Sequence, residues 1–174
     1  LTRPTTNPPA SSNGSRWIIT SGMNAHQGSV MGGAPQWYNQ INSGDFDSNS
    51  TLVDLGSLNG YYGGAGFGLS DGTNHYEVGG YHGHGGDLGW SASQIYHDHI
   101  IQVPYSDTSS NQIDLGTLTN TKSGGGATSD HDNGYLFGGF YYQSQSSPNV
   151  NTTEIEKFSC SSGASVVDAN LSFA

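Results

Sequence analysis

Histidine is the side chain of this sequence with the most chemistry to offer. Five of its seven copies cluster at His75, His82, His84, His97 and His99. His82-Gly-His84 and His97-Asp-His99 are both H-x-H pairs. On a strand, residues i and i+2 share a face, so each pair could grip one divalent metal ion, with Asp87 or Asp98 beside it. His82, His84, His97 and His99 are therefore the candidate metal set, and a divalent metal is the one candidate cofactor. A solvated loop accounts for the same residues without a metal, and the spacing lacks the fixed form of a zinc finger.

Other chemistry is thinner. Ser129-Asp130-His131-Asp132-Asn133-Gly134 resembles half a calcium loop, because alternating oxygen ligands followed by Gly suit a hard cation. The same residues also make a tight turn, and Ser70-Asp71-Gly72-Thr73-Asn74 shares that turn with fewer carboxylates. No Ser stands in a G-x-S-x-G elbow, and no Gly run is followed by Lys-Ser/Thr. Cys160 is alone, so it forms no internal disulfide, and it reads as a small core residue. No catalytic residue is assigned, and the chain is read as not an enzyme. The aromatics offer binding instead. Tyr61, Tyr62, Tyr81, Trp90, Tyr96, Tyr105, Tyr141 and Tyr142 lie in or beside loops, where Tyr and Trp stack on sugars or fill interfaces. Of these, Tyr61, Tyr62, Trp90, Tyr141 and Tyr142 join the four histidines as candidate binding residues. Core filling is the competing role.

Composition limits what can position these groups. Of 174 residues, 27 are Gly, and Lys and Arg together number 4 against 14 Asp and Glu. A chain short of Glu, Lys and Leu lacks the residues that stabilise surface helices, so helix bundles are excluded. Four basic residues and a net charge of −10 exclude a phosphate-binding stripe, and nucleic acid is not a partner. No 18-residue apolar run exists to span a membrane. The first residue is Leu1 with no basic-then-apolar leader after it, which reads as a processed product or a piece of something longer.

Internal repeats supply the architecture. INSGDFDSNSTLVDLGSL (41–58), IQVPYSDTSSNQIDLGTL (101–118) and IEKFSCSSGASVVDANL (155–171) align on Ile41, Ile101 and Ile155 and on Asp54, Asp114 and Asp168. The β-branched residues before each Asp are Val53, Ile113 and Val167. Both these and the three Ile are expected to be buried at equivalent places. The repeated Asp is expected to bond backbone N–H groups at a turn rather than to catalyse. A second block, GFGLSDGTNHYEVGGY (66–81) and GGATSDHDNGYLFGGF (125–140), precedes the first. Its copy in the first unit is read as the degenerate IITSGMNAHQGSVMGGA. The units then run 15–58, 59–118 and 119–174, after a Pro/Thr-rich linker or arm at 1–14. A His-rich loop occupies 81–99 of the second unit. Each unit reads as four antiparallel strands with short turns, the anatomy of a propeller blade.

The pattern GG[YF], loop, Ile, Ser/Asn turn, Val-Asp-x-Gly-x-Leu resembles the kelch-like repeats of virion structural and tail-fibre proteins of marine bacteriophages, cyanophages especially. The resemblance covers roughly residues 15–174, and IEKFSCSSGASVVDANL carries it best. The Trp that usually follows the third strand of cellular kelch repeats is absent, and Trp17, Trp37 and Trp90 do not recur in register. The resemblance implies an all-β, kelch-like β-propeller fold of three blades. Three is fewer than the 4–8 of closed propellers, so other chains or segments are expected to complete it. It also implies a non-enzymatic viral protein located in the virion, as tail fibre, appendage or capsid decoration, working in host attachment or assembly. Its implied partners are other virion proteins, copies of itself in an oligomer, and a host surface glycan. Two alternatives stand beside it: a carbohydrate-active propeller enzyme of galactose-oxidase or sialidase type, and an extracellular filament subunit.

Overall fold

The computed structural model describes residues 9–24, 36–47, 52–58, 66–83, 94–106, 111–141 and 150–172, with backbone alone at 21–24, 36–39, 81–83 and 94–95. All regular structure among them is β. The first sheet runs β1 (Ala10–Ser12), β2 (Arg16–Asn24), β3 (Gln36–Asp45) and β4 (Val53–Ser57) in chain order. The second chain segment begins with β5 (Phe67–Ser70) and β6 (Asn74–Val78). A short ribbon of β7 (Tyr81–Gly83) and β8 (Gln94–Tyr96) follows, then β9 (His99–Pro104) and β10 (Ile113–Thr117). The third begins with β11 (Gly126–Ser129) and β12 (Asn133–Phe137). A ribbon of β13 (Phe140–Tyr141) and β14 (Val150–Asn151) follows, then β15 (Glu154–Ser159) and β16 (Ser165–Asn170). Leaving the ribbons aside, all three sheets are four-stranded antiparallel meanders. The first strand of the middle sheet, β5, touches both β1 and β11, so the three first strands lie side by side. This is the inner ring of a propeller, with β4, β10 and β16 outside.

The first sheet departs from the sequence alignment. Ala10–Ser12, expected in an arm, is a strand, and Ala10 pairs with Ile19. Asn13-Gly14 is its tight turn, with Asn13 Oδ1 accepting the N–H groups of Ser15 and Arg16 at 3.1 and 2.8 Å. The true first copy of the second block is therefore ASSNGSRWIITSG. Its Asn13 stands where Asp71 and Asp130 cap the other two turns.

The register also corrects two equivalences. Ile41 opposes Gly56, Ile100 opposes Gly116, and Ile155 opposes Ala169. Ile100, not Ile101, is thus the counterpart of Ile41 and Ile155. Likewise Asp54 and Asp114 correspond to Val167, and Asp168 occupies the extra position of a β-bulge that Leu55 and Leu115 occupy in the other sheets. The third-to-fourth-strand turns differ by one residue, so matching Asp to Asp slipped the frame. Each bulge puts two residues opposite one. In the first two sheets the Asp fixes it, because Gly56 and Gly116 donate their N–H to Asp54 and Asp114 at 2.8 and 3.1 Å. Ile41 and Ile101 are buried as expected, but Ile155 is only half-buried. Val53, Ile113 and Val166 are exposed at 41%, 50% and 54%, and Val167 is half-exposed. The buried side chains of these outer strands come one or more residues later, at Leu55, Leu58 and Leu118, where the bulge turns them inward.

Two apolar layers separate the three sheets. Ile18, Ile41, Leu55 and Leu58 of the first meet Ile101, Val103 and Tyr105 of the second. On its other face the second sheet presents Phe67, Leu69, Tyr76, Val78, Ile100 and Leu118 to Leu136, Phe158 and Cys160 of the third. The middle sheet is thus covered on both faces, and His75, Tyr76, Glu77 and Val78 are all buried in succession.

The double glycines have a steric reason. Gly79 has φ +62°, and a Cβ there would fall inside the Lys122 carbonyl oxygen. That carbonyl accepts the Gly80 N–H at 2.9 Å, so the connection into the third sheet lies directly on the pair. Gly79→Ala combines a left-handed backbone with this clash and is expected to destabilise by about 2 kcal/mol or more. A urea midpoint within error of the parent would contradict the close approach.

Candidate functional site

The histidine constellation divides in the fold. His75 is fully buried between the first two sheets. Its Nδ1 is 2.7 Å from Ser11 Oγ and its Nε2 is 3.0 Å from Thr20 Oγ1. Ser11 Oγ is in turn 2.6 Å from Tyr105 OH, and Thr20 donates to the Pro9 carbonyl. A neutral ring with its proton on Nε2 serves every partner in this chain. Burial drives its pKa down from 6.5 to about 3. Burial also raises the Tyr105 phenol.

His97 stands two residues before β9 and His99 is its first residue. Their rings are 6.1 Å apart, and His99 Nδ1 lies 3.4 Å from Asp114 Oδ2 and its Nε2 4.0 Å from Asp98 Oδ1. Their backbone is fixed, since His97 N–H bonds the Gly80 carbonyl and the His99 carbonyl accepts Gly79 N–H. His82 pairs with Ile95 through backbone. His84, Trp90, Tyr61, Tyr62 and Tyr142 lie outside the described residues. Among the described residues no three His, Cys, Asp or Glu side chains are grouped to hold a metal ion. Tyr141 is half-buried in β13. Tyr96 meets Phe140 edge-on at 6.4 Å, which sets the two ribbons beside each other. Both ribbons leave the ends of the second strands, opposite the capped turns at Asp71 and Asp130.

Those capped turns surround a cavity of about 320 Å³, lined by Asp71, His131, Asp132, Asn133, Ser159, Cys160 and Ser161. Asp71 Oδ1 accepts the N–H groups of Thr73 and Asn74 at 2.7 and 2.6 Å, and Oδ2 accepts Tyr76 OH at 2.6 Å. Asp130 repeats the clamp, with Asn133 N–H at 2.8 Å and Tyr135 OH at 2.7 Å. The repeated Ser-Asp-x-x-Asn-x-Tyr is thus a turn clamp that uses the carboxylate in place. Burial raises the Asp71 carboxyl, but the bonds from Tyr76, Asn74 and Thr73 outweigh it and hold it below the ordinary range. The Tyr135 bond does most to lower Asp130. Burial, then the bond to Asp71, raises the Tyr76 phenol.

Three departures from the repeat meet at this cavity. Cys160 takes the position of Phe46 and Tyr105, because all three donate their N–H to the carbonyl of the preceding hairpin, at Asp132, Ser15 and Thr73 respectively. A small side chain there leaves space that Tyr105 fills at the other junction. Burial pushes the Cys160 thiol up to about 11, so it stays protonated. His131 stands where the other turns have Gly14 and Gly72, and its φ of 73° is left-handed. His131 Nδ1 donates to the Asp71 carbonyl at 2.5 Å and Ser129 Oγ donates to that of Ser70, which joins the two turns. Asp132 stands where the others have Ser15 and Thr73.

A group not anticipated from sequence is Lys122, fully buried with Nζ 3.3 Å from Glu156 Oε2 and 3.7 Å from Glu154 Oε2. Glu156 is also fully buried, and its Oε1 accepts the Thr119 N–H. Two of the three Glu in the chain thus meet one of its two Lys. The signal was present in the sequence: Glu154-x-Glu156 sits in a strand of a chain otherwise poor in charge.

No helix among the described residues is long and apolar enough to cross a membrane. No protein-family model and no curated protein sequence matches this chain. Among solved structures it is similar to YjhT, a kelch-like propeller, at a TM-score of 0.68 and 11% identity. The likeness covers 94% of this chain and 55% of that one, so the chain spans about half the length of this neighbour. At this identity the likeness fixes the fold: three kelch-like propeller blades.

Proposed function

We propose that the chain is a non-enzymatic recognition and structural module, a virion protein of tail-fibre, appendage or decoration type that presents loops to a host surface glycan or to neighbouring virion proteins. The virion context rests on the resemblance carried by the GG[YF] to Val-Asp-x-Gly-x-Leu repeat. The observation that supports a binding scaffold is how the described polar groups are used. Asp54, Asp114, Asp71, Asp130, His75, Lys122 and Glu156 are all engaged in bulges, turns or sheet junctions. What varies between blades is the connection from second to third strand, and all three leave the same end of the sheets. A rigid β frame with variable loops at one end is where recognition is placed. The carbohydrate-active reading is favoured by one observation, the cavity at which the unrepeated His131, Asp132 and Cys160 meet.

Replacing residues 84–93 by a Gly-Asn-Gly turn is the test. The expected result is an unchanged β-type circular dichroism spectrum with loss of sedimentation alongside marine cyanobacterial cells. Undiminished co-sedimentation rejects this loop as the contact. Sugar released into the supernatant by the parent but not by His131→Gly would establish the enzyme in its place.

A further inference from the structure

Each sheet has a front, toward the sheet before it in the chain, and a back, toward the sheet after it. Both internal junctions are back to front. At four front positions the equivalents, taken from the ladder and the hairpin bonds, are Trp17, His75 and Gly134; Ile19, Glu77 and Leu136; Gly44, Val103 and Phe158; and Phe46, Tyr105 and Cys160. In the second and third sheets all of these are buried. In the first sheet Phe46 is 59% exposed, against 3% for Tyr105 and 5% for Cys160. The back tells the same story at the other end. Ile18, Thr20, Ile41 and Leu58 are buried, as are Tyr76, Val78, Ile100 and Leu118. Their counterparts Tyr135, Phe137, Ile155 and Leu171 are equally apolar but only half-buried.

The uncovered front is built as a junction. Gly134 lies under the ring of Phe158, its cross-strand partner, and that ring is fully buried between sheets. In the first sheet the same pair is reversed, with the Trp17 indole lying over its partner Gly44. Leu52 adds to this apolar surface at 61% exposure. It stands where Gln112 and Ser165 reach the carbonyls of Ser57 and Thr117 in the sheet before them, at 3.0 and 2.9 Å.

We propose that two copies of this chain associate head to tail, the back of the third sheet of each packing on the front of the first sheet of the other, to close one six-bladed ring. A back requires a front, and the described residues of the three sheets leave one of each uncovered. Three blades plus three fall within the 4–8 of closed propellers. The similar YjhT chain, about half spanned by these three blades, has room for a ring of that size. Two identical heterologous junctions about a twofold axis through the ring centre close the assembly and leave no open end. The inference stands whether or not the 84–93 connection binds cells.

Native mass spectrometry of the 174-residue protein at tens of micromolar is the test. The expected species is a pair of 18.2 kDa chains. Phe46→Glu, on the front, and Ile155→Glu, on the back, are each expected to give single chains with an unchanged β spectrum; Phe137→Glu replaces the latter if it fails to fold. An equimolar mixture of front and back variants retains one sound junction and is expected to recover pairs. A parent protein that runs as a single chain, or as an open series of larger species, overturns the proposal. So does a parent pair that survives Phe46→Glu, since association back to back would not use the front, or a mixture that recovers nothing.

Discussion

Replacing Lys122 by Met is expected to destabilise the fold by about 3–5 kcal/mol, because it strands a charged, fully buried Glu156 without its cation. A methionine side chain of similar length keeps the volume, so packing loss contributes little. The double replacement Lys122→Met with Glu156→Gln is expected to recover much of the loss, since Gln can still accept the Thr119 N–H. Chemical denaturation of the three proteins checks this. A single variant with the parent midpoint would show that solvent reaches the pair. The consequence reaches beyond the pair, because the Lys122 carbonyl also receives Gly80 N–H and so ties the second sheet to the connection into the third.

The second large effect is acid sensitivity through His75. Its folded pKa of about 3 lies below the unfolded value of 6.5, so the unfolded chain takes up the proton first. Stability is therefore full above pH 6.5 and falls as pH drops from there toward 3. The slope is about 1.4 kcal/mol per pH unit, or about 3 kcal/mol by pH 4.5. Asp71 and Asp130, held below the ordinary carboxylate range, add losses of the same sign only in more acidic solution. His75→Gln keeps an acceptor and a donor between Ser11 and Thr20 but does not titrate. Its unfolding free energy is expected to be nearly flat from pH 6.5 to 4.5, where the parent slopes. Parallel curves for the two proteins would refute the assignment.

The blades were legible in the sequence because their signals are local. Ser-Asp-x-x-Asn-x-Tyr closes a turn with its own side chains, and a Gly pair marks a backbone approach that any Cβ would block. Register was not legible, because it depends on the length of a turn with no fixed composition. One residue more or less there moves Ile101 to the opposite face from Ile41, since side chains alternate along a strand. The bulges misled for the same reason, turning Leu55 inward and leaving Val53 and Ile113 outside. Proximity in the chain likewise grouped His75 with His97 and His99, though β6 pairs His75 with Val103 near the capped turn, while His97 and His99 sit at the opposite end of the sheet beside Gly80 and Gly79. The closeness of Lys122 to Glu154 and Glu156 joins a connection to a strand more than thirty residues on, which no local pattern records.

The double coverage of β6 fixes the order in which a single chain, apart from any partner, can come apart. Either outer sheet can peel away and expose one apolar layer while the other stays dry. The middle sheet cannot loosen without opening both. Fluctuations therefore run from the ends inward, and the amides of Tyr76 and Val78 become the last to exchange their hydrogens with solvent, open only in the fully unfolded chain.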